Sequence, residues 1–311
     1  MSIAYLEPTG SATRRMPVGA LRDFSPWGDV YFVQSVHASA SDTNAGTKPQ
    51  QPLATLDAAI NKCVAHAGDT IIVGEGHAEN IANATTVIPD IAGIHIIGDG
   101  RGAKRPTFTF TNLAGNIPIS ANNILIENIL FTVSGTTDVT SGITITGSDV
   151  ILRDCELRDG SATAQFVIGV TLSTGGDRAL LERLIVRSHA SGDALTAWVH
   201  CAIALDAVQV VNADMDGLAS NGLVYNVTNA MTNLVVSGGR YRQRHVTKDS
   251  VVAVAAATTG SIERILIRTA TNDADGFNLA IVAAGMQVYD ALVVNADGER
   301  GGYWGTASAA V

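Results

Sequence analysis

A repeat limits what this chain can fold into more than any other feature does. Leu181-Glu182-Arg183-Leu184-Ile185-Val186-Arg187 returns 81 residues later as Ile262-Glu263-Arg264-Ile265-Leu266-Ile267-Arg268, a distance of three units of 27. With Leu181 and Ile262 as anchors, equivalent apolar residues stand at Ile97, Ile126, Leu152, Val210, Val236 and Val288, in steps of 26 or 29. Each unit holds short stretches with period-two alternation, and none of them can bury its apolar side alone. Stacked units bury those sides together, which is the logic of a solenoid.

The columns of the repeat sharpen the expectation. Three residues after the anchors stand Gly100, Ile129, Cys155, Leu184, Ala213, Gly239, Ile265 and Ala291; five after stand Gly102, Phe131, Leu157, Val186, Met215, Tyr241, Ile267 and Val293. Both columns read as inward-facing. Two residues after the anchors the series Asp99, Asn128, Asp154, Arg183, Asn212, Gly238, Arg264 and Asp290 is rich in residues that tolerate left-handed backbone, so it predicts a tight bend between two strands. A third strand per unit is expected within 117–120, 142–146, 166–172, 199–205, 222–227, 251–255 and 277–282. The predicted fold is all-β, a single right-handed parallel β-helix of about nine coils, roughly 43 Å long at ~4.8 Å per coil.

Its ends need cover. Leu56, Ala59, Ile60, Cys63 and Val64 have helical spacing between Pro52 and Gly68, which predicts an amphipathic capping helix within 53–68. The expected organisation is an extended arm at 1–28, an opening strand, loop and capping helix at 29–68, the β-helix at 69–297 and a tail at 298–311.

Composition excludes some functions. Twenty basic against 29 acidic residues, a formal charge of −9, argues against general nucleic-acid binding, which draws on clustered positive charge. No apolar run approaches the roughly 20 residues of a membrane span, and Arg14 and Arg15 stand where a secretion signal would carry its apolar core, so synthesis in a cytoplasm is expected. Cys63, Cys155 and Cys201 fit neither a disulfide framework nor a metal site and read as buried small hydrophobes.

Chemistry-bearing residues gather on the strand after each bend, where Glu156 and Arg158, Ile185 and Arg187, Asp214 and Asp216, Arg240 and Arg242, and Leu266 and Arg268 point outward. The Asp214 and Asp216 carboxylates, about 7 Å apart along a strand, lie in the range of glycosidase pairs. With Arg187 and Arg240 they are the candidate catalytic set of a polysaccharide lyase or hydrolase. Yet Arg187, Asp216 and Arg242 stack in one column and Asp214 neighbours Arg240 in the other, and opposite charges on adjacent strands stabilise a sheet surface without any substrate. The surface ladder is the preferred reading. On the third strand Thr144, Thr146, Val170, His200, Tyr225, Asn226 and Asn278 offer no carboxylate, so that face is expected to be inert. Residues 212–217 resemble the start of a calcium loop, but the twelfth position is Leu223 instead of Glu, and 271–276 depart further. His66 lies three residues after Cys63 without further ligands, and His77 reads as a turn residue. No metal or cofactor is expected, and no phosphate loop, dinucleotide fingerprint or Gly-x-Ser-x-Gly is present.

The stretch Tyr31-Phe32-Val33, Ser41-Asp42-Thr43-Asn44-Ala45-Gly46-Thr47, Pro52-Leu53-Ala54-Thr55-Leu56-Asp57-Ala58-Ala59-Ile60 and Gly68 to Ile81 resembles the opening of right-handed β-helix proteins of the pectate-lyase-like superfamily. That superfamily includes lyases, hydrolases, phage tailspikes and non-catalytic virion proteins, and this chain is most similar to a tailed-bacteriophage capsid decoration, or cement, protein. The resemblance implies a non-enzymatic structural protein on the capsid exterior, with the major capsid protein as partner. A homotrimer is expected, since an alanine-rich surface poor in Lys suits side-by-side packing and a trimer fits the three-fold points of an icosahedral shell. Arg14, Arg15, Arg22, Phe24 and Trp27 are the expected capsid or subunit contacts. The alternative is a polysaccharide lyase, a glycoside hydrolase or a tailspike-like carbohydrate-binding protein.

Overall fold

The computed structural model describes residues 28–190, 194–226, 229–245, 248, 250–253, 257–270, 277–279, 285–294 and 300–303. The chain winds into a parallel β-solenoid with three sides. Sheet A has ten strands, from Val30–Val33 to Met286–Tyr289; sheet B has ten, from Ala78–Ile81 to Arg300–Tyr303; sheet C has seven, from Ile117–Ile119 to Phe277–Leu279. Sheets A, B and C recur in that order along the chain. Arg300–Tyr303, inside the segment expected as a tail, pairs antiparallel with Ala291–Val294 on sheet B.

The anchors stack in register on sheet A: Ile126, Leu152, Leu181, Val210, Val236, Ile262 and Val288 form one column. On sheet B, Phe131, Leu157, Val186, Met215, Tyr241, Ile267 and Val293 form the next. Leu152, Leu181, Leu184, Val210 and Met215 are fully buried in one continuous core. Each such side chain contributes about 1.5–3 kcal/mol when removed from water, so the core columns are what hold the coils together. Between the two sheets Asn128, Asp154, Arg183, Asn212, Gly238, Arg264 and Asp290 all have φ between +50° and +65°, the predicted left-handed bend.

The first coil departs from the expected register. Ile96, not Ile97, stacks on Ile126. Ile97 points away from the main core and packs with Ile72, Val30 and Phe32 on the outer face of sheet A. Asp99, Gly100 and Gly102 therefore leave their expected columns: after the strand His95–Gly98 the chain makes a longer crossing that contains a 3-10 turn at Gly102–Lys104, and Phe108 takes the inward position opposite Phe131.

The capping helix is one turn long, Leu56–Ile60, and Thr55 Oγ1 accepts the Ala58 N–H at its start. Leu56, Ala59, Ile60 and Cys63 join the core, whereas Val64 is exposed. The reason lies in Asp69. Its carboxylate accepts the N–H of Val64 (2.7 Å) and of Asp29 (2.7 Å), and His66 and Gly68 take φ of 62° and 79°, which turns the chain into the strand Thr70–Val73. Among the described residues no helix is long and apolar enough to cross a membrane.

Candidate functional site: an arginine and aspartate ladder on sheet B

Strands Ile185–Arg187, Asp214–Gly217, Arg240–Gln243 and Leu266–Arg268 lie side by side, in a register that puts Asp214 beside Arg240 and sets Arg187, Asp216, Arg242 and Arg268 in one outward column. The groove along them is about 310 Å³. All four residues of the candidate catalytic set meet here.

The geometry binds the carboxylates to cations. Asp214 Oδ2 accepts from Arg187 (2.8 Å) and from Arg240 (2.6 Å). Arg187 thus reaches diagonally, past its register neighbour Asp216, and it also donates to the Asp214 carbonyl oxygen (2.7 Å). Asp216 is paired instead with Arg242 (3.2 Å) and Arg244 (2.7 Å). Partial burial would raise the Asp214 carboxyl, but the hydrogen bonds and charges of Arg187 and Arg240 outweigh it and hold the group below the ordinary carboxylate range. An anion clamped by two guanidiniums cannot serve as a general acid at neutral pH.

Arg244 escaped the sequence reading. Beyond its ion pair with Asp216, its guanidinium donates to the carbonyl oxygens of Ser188 (2.9 Å), His189 (3.1 Å) and Ala190 (3.3 Å). Because these acceptors are backbone atoms more than fifty residues earlier in the chain, no residue pattern announces them.

Other ladders run along the solenoid. Arg183 forms a two-pronged pair with Asp154, and Arg178 with Asp149, all four bonds at 2.7 Å. Arg153 bridges Glu127 and Glu182, and Arg105 holds Glu156, which also pairs with Arg158.

Sheet C has the outward row Thr144, Thr171, His200 and Tyr225. Val170 and Asn226, expected on that face, point inward instead and are 1% exposed; the short strands give too few alternations to fix their phase. Burial holds the His200 imidazole below its ordinary pKa. Asn278 lies in the strand Phe277–Leu279.

Residues 212–217 form a bend and a strand, with Asp214 and Asp216 committed to arginines, so the resemblance to a calcium loop ends at composition. Residues 271–276, like Arg14, Arg15, Arg22, Phe24 and Trp27, lie outside the described residues. No group of three or more His, Cys, Asp or Glu among the described residues could hold a metal ion. His77 is a clasp: Nδ1 accepts the Ser35 N–H (3.0 Å) and Nε2 meets Glu79 Oε2 (3.1 Å), which also accepts the Leu56 N–H (2.9 Å). All three cysteines are free and buried, and burial pushes each thiol up to about 12.

No family model, curated protein or solved structure matches the chain. The ladder presents a row of guanidiniums paired with two carboxylates on one face of sheet B.

Proposed function

We propose that this chain is a non-enzymatic structural protein that decorates the capsid of a tailed bacteriophage, as a homotrimer bound to the major capsid protein. The observation that carries the non-enzymatic reading is the clamp on Asp214. Glycoside hydrolysis by a carboxyl pair requires one neutral acid beside one carboxylate. Here Asp214 is held ionised by Arg187 and Arg240, and Asp216 is paired with Arg242 and Arg244. The capsid assignment is supported by the likeness of Tyr31 to Ile81 to β-helix proteins that include virion components, and by a solenoid shape that offers long flat sides for packing.

Two measurements test the proposal. The purified protein should release neither reducing ends nor unsaturated sugars from capsular or pectic polysaccharides; turnover that disappears in Asp214→Asn and Asp216→Asn would establish the enzyme instead. It should also co-sediment with expanded phage capsids and scatter light as a trimer, and a monomer that ignores capsids would sink the assignment.

A further inference from the structure

Elsewhere among the described residues most arginines have a carboxylate within reach. Arg178 has Asp149, Arg183 has Asp154, Arg153 has Glu127 and Glu182, and Arg105 and Arg158 share Glu156. The groove on sheet B breaks this pattern. Among the described residues Arg187, Arg240, Arg242 and Arg268 line it with Asp214 and Asp216, four cations against two anions, and Arg244 also pairs with Asp216, on a chain whose net charge is −9. Arg242 and Arg268 are direct register neighbours, about 4.8 Å apart by strand spacing, and like charges so placed repel. A ladder that served stability alone would place a carboxylate at one of these positions. Arg268 is exposed, and Arg240 and Arg242 have side chains 70% and 59% exposed with one hydrogen bond each, so most of their N–H donors are free.

We propose that the Arg240, Arg242 and Arg268 face of sheet B is a docking surface for an acidic protein. The inference rests on reading the chain as a docking protein, and it names the chemistry of the partner. Three observations favour a protein. The cations are all Arg, the residue enriched at protein interfaces where Lys is depleted, and no Lys stands in any parallel strand of sheet B. Leu266 and Leu292 share the column of Arg240 and supply apolar contact beside the guanidiniums. The outward positions of strands 185–187, 214–217, 240–243 and 266–268 carry no aromatic ring on which a sugar could stack, since Tyr241 is buried.

Poly-L-glutamate is the probe, with polygalacturonate as the glycan arm and fluorescence anisotropy as the readout. Wild type should bind poly-L-glutamate with an affinity that falls at least about tenfold on raising salt to about 0.5 M. Arg242→Gln/Arg268→Ser should lose about tenfold at low salt, while Arg178→Gln, an equal-sign change far from the groove, should bind as wild type does. Unchanged melting of the double variant shows that it folds. Equal affinity in the double variant, equal loss in Arg178→Gln, or a preference for polygalacturonate would each overturn the inference. Capsid binding that survives in the double variant also sinks it while leaving the capsid reading intact. Conversely, a wild type that binds poly-L-glutamate in the expected way but ignores capsids sinks the capsid reading and leaves the docking surface standing.

Discussion

Asp159 shows how much one side chain can hold. Its two oxygens accept the N–H groups of Phe166 (3.0 Å) and His189 (3.0 Å), tying together segments from successive coils. Despite those bonds, burial pushes its carboxyl up to about 6. The folded value lies above the unfolded one, so the contribution of Asp159 is greatest below about pH 4, where both states are neutral, and is lost as pH rises through about 6. The stability of wild type relative to Asp159→Asn should therefore fall by an amount on the order of 3 kcal/mol between about pH 4 and pH 7. Urea denaturation of both proteins across that range measures it, and a flat difference would show that the carboxyl is not strained by its site. Neither Asp159 nor Arg244 was legible in the sequence as a tether, because each is bonded to peptide groups that every residue possesses.

At the scale of the element, the bend between sheets A and B is the unit that repeats. Gly239 sits there with φ +88°, and a Cβ at that position would lie 2.1 Å from the Ala213 carbonyl oxygen. Gly239→Ala should therefore cost at least about 2 kcal/mol, read as a lowered Tm, because it adds both backbone strain and a clash with a strand that cannot move. Arg264→Gly, at a neighbouring bend with φ +50° and a largely exposed side chain, should be neutral or slightly stabilising by the same measurement. These bends were legible because seven successive coils repeat the same backbone, so the column averages out the identity of any one residue. The first coil was not, because one longer crossing at 99–106 breaks the count and shifts the phase from Ile97 to Ile96. The capping helix was read too long for a related reason: Val64 continues the apolar spacing, but Asp69 takes its N–H and ends the helix. In the candidate site the sequence placed Asp214, Asp216, Arg187 and Arg240 on one face correctly, while the diagonal reach of Arg187 depends on a side-chain conformation that spacing does not specify.

For the whole molecule, the strand ladders join each coil to its immediate neighbours, and only a few side chains such as Arg105 and Arg244 reach one coil further, so stability is close to a sum over coils and their contacts. Removing residues 236–261, one full unit, would join Val235 to Ile262 and set Ile262 on Val210, Ile267 on Met215 and Arg268 beside Asp216, where Arg242 now stands. That shortened chain should fold and melt cooperatively, though at a lower Tm. A deletion one residue smaller leaves the junction strand one residue out of phase, with its inward and outward side chains exchanged, and should melt at a lower Tm than the in-register deletion. Circular dichroism on the pair decides whether the repeat is the true unit of folding.

The buried thiols acquire a use from this architecture. Cys63 lies beside the capping turn, and Cys155 and Cys201 lie in successively later coils, each sealed from reagents while its own coil is closed. A solenoid comes apart coil by coil, and a thiol becomes reactive only where the local coil has opened. The chain therefore carries three clocks at three heights, and the order in which they start to run reports the end from which it unwinds.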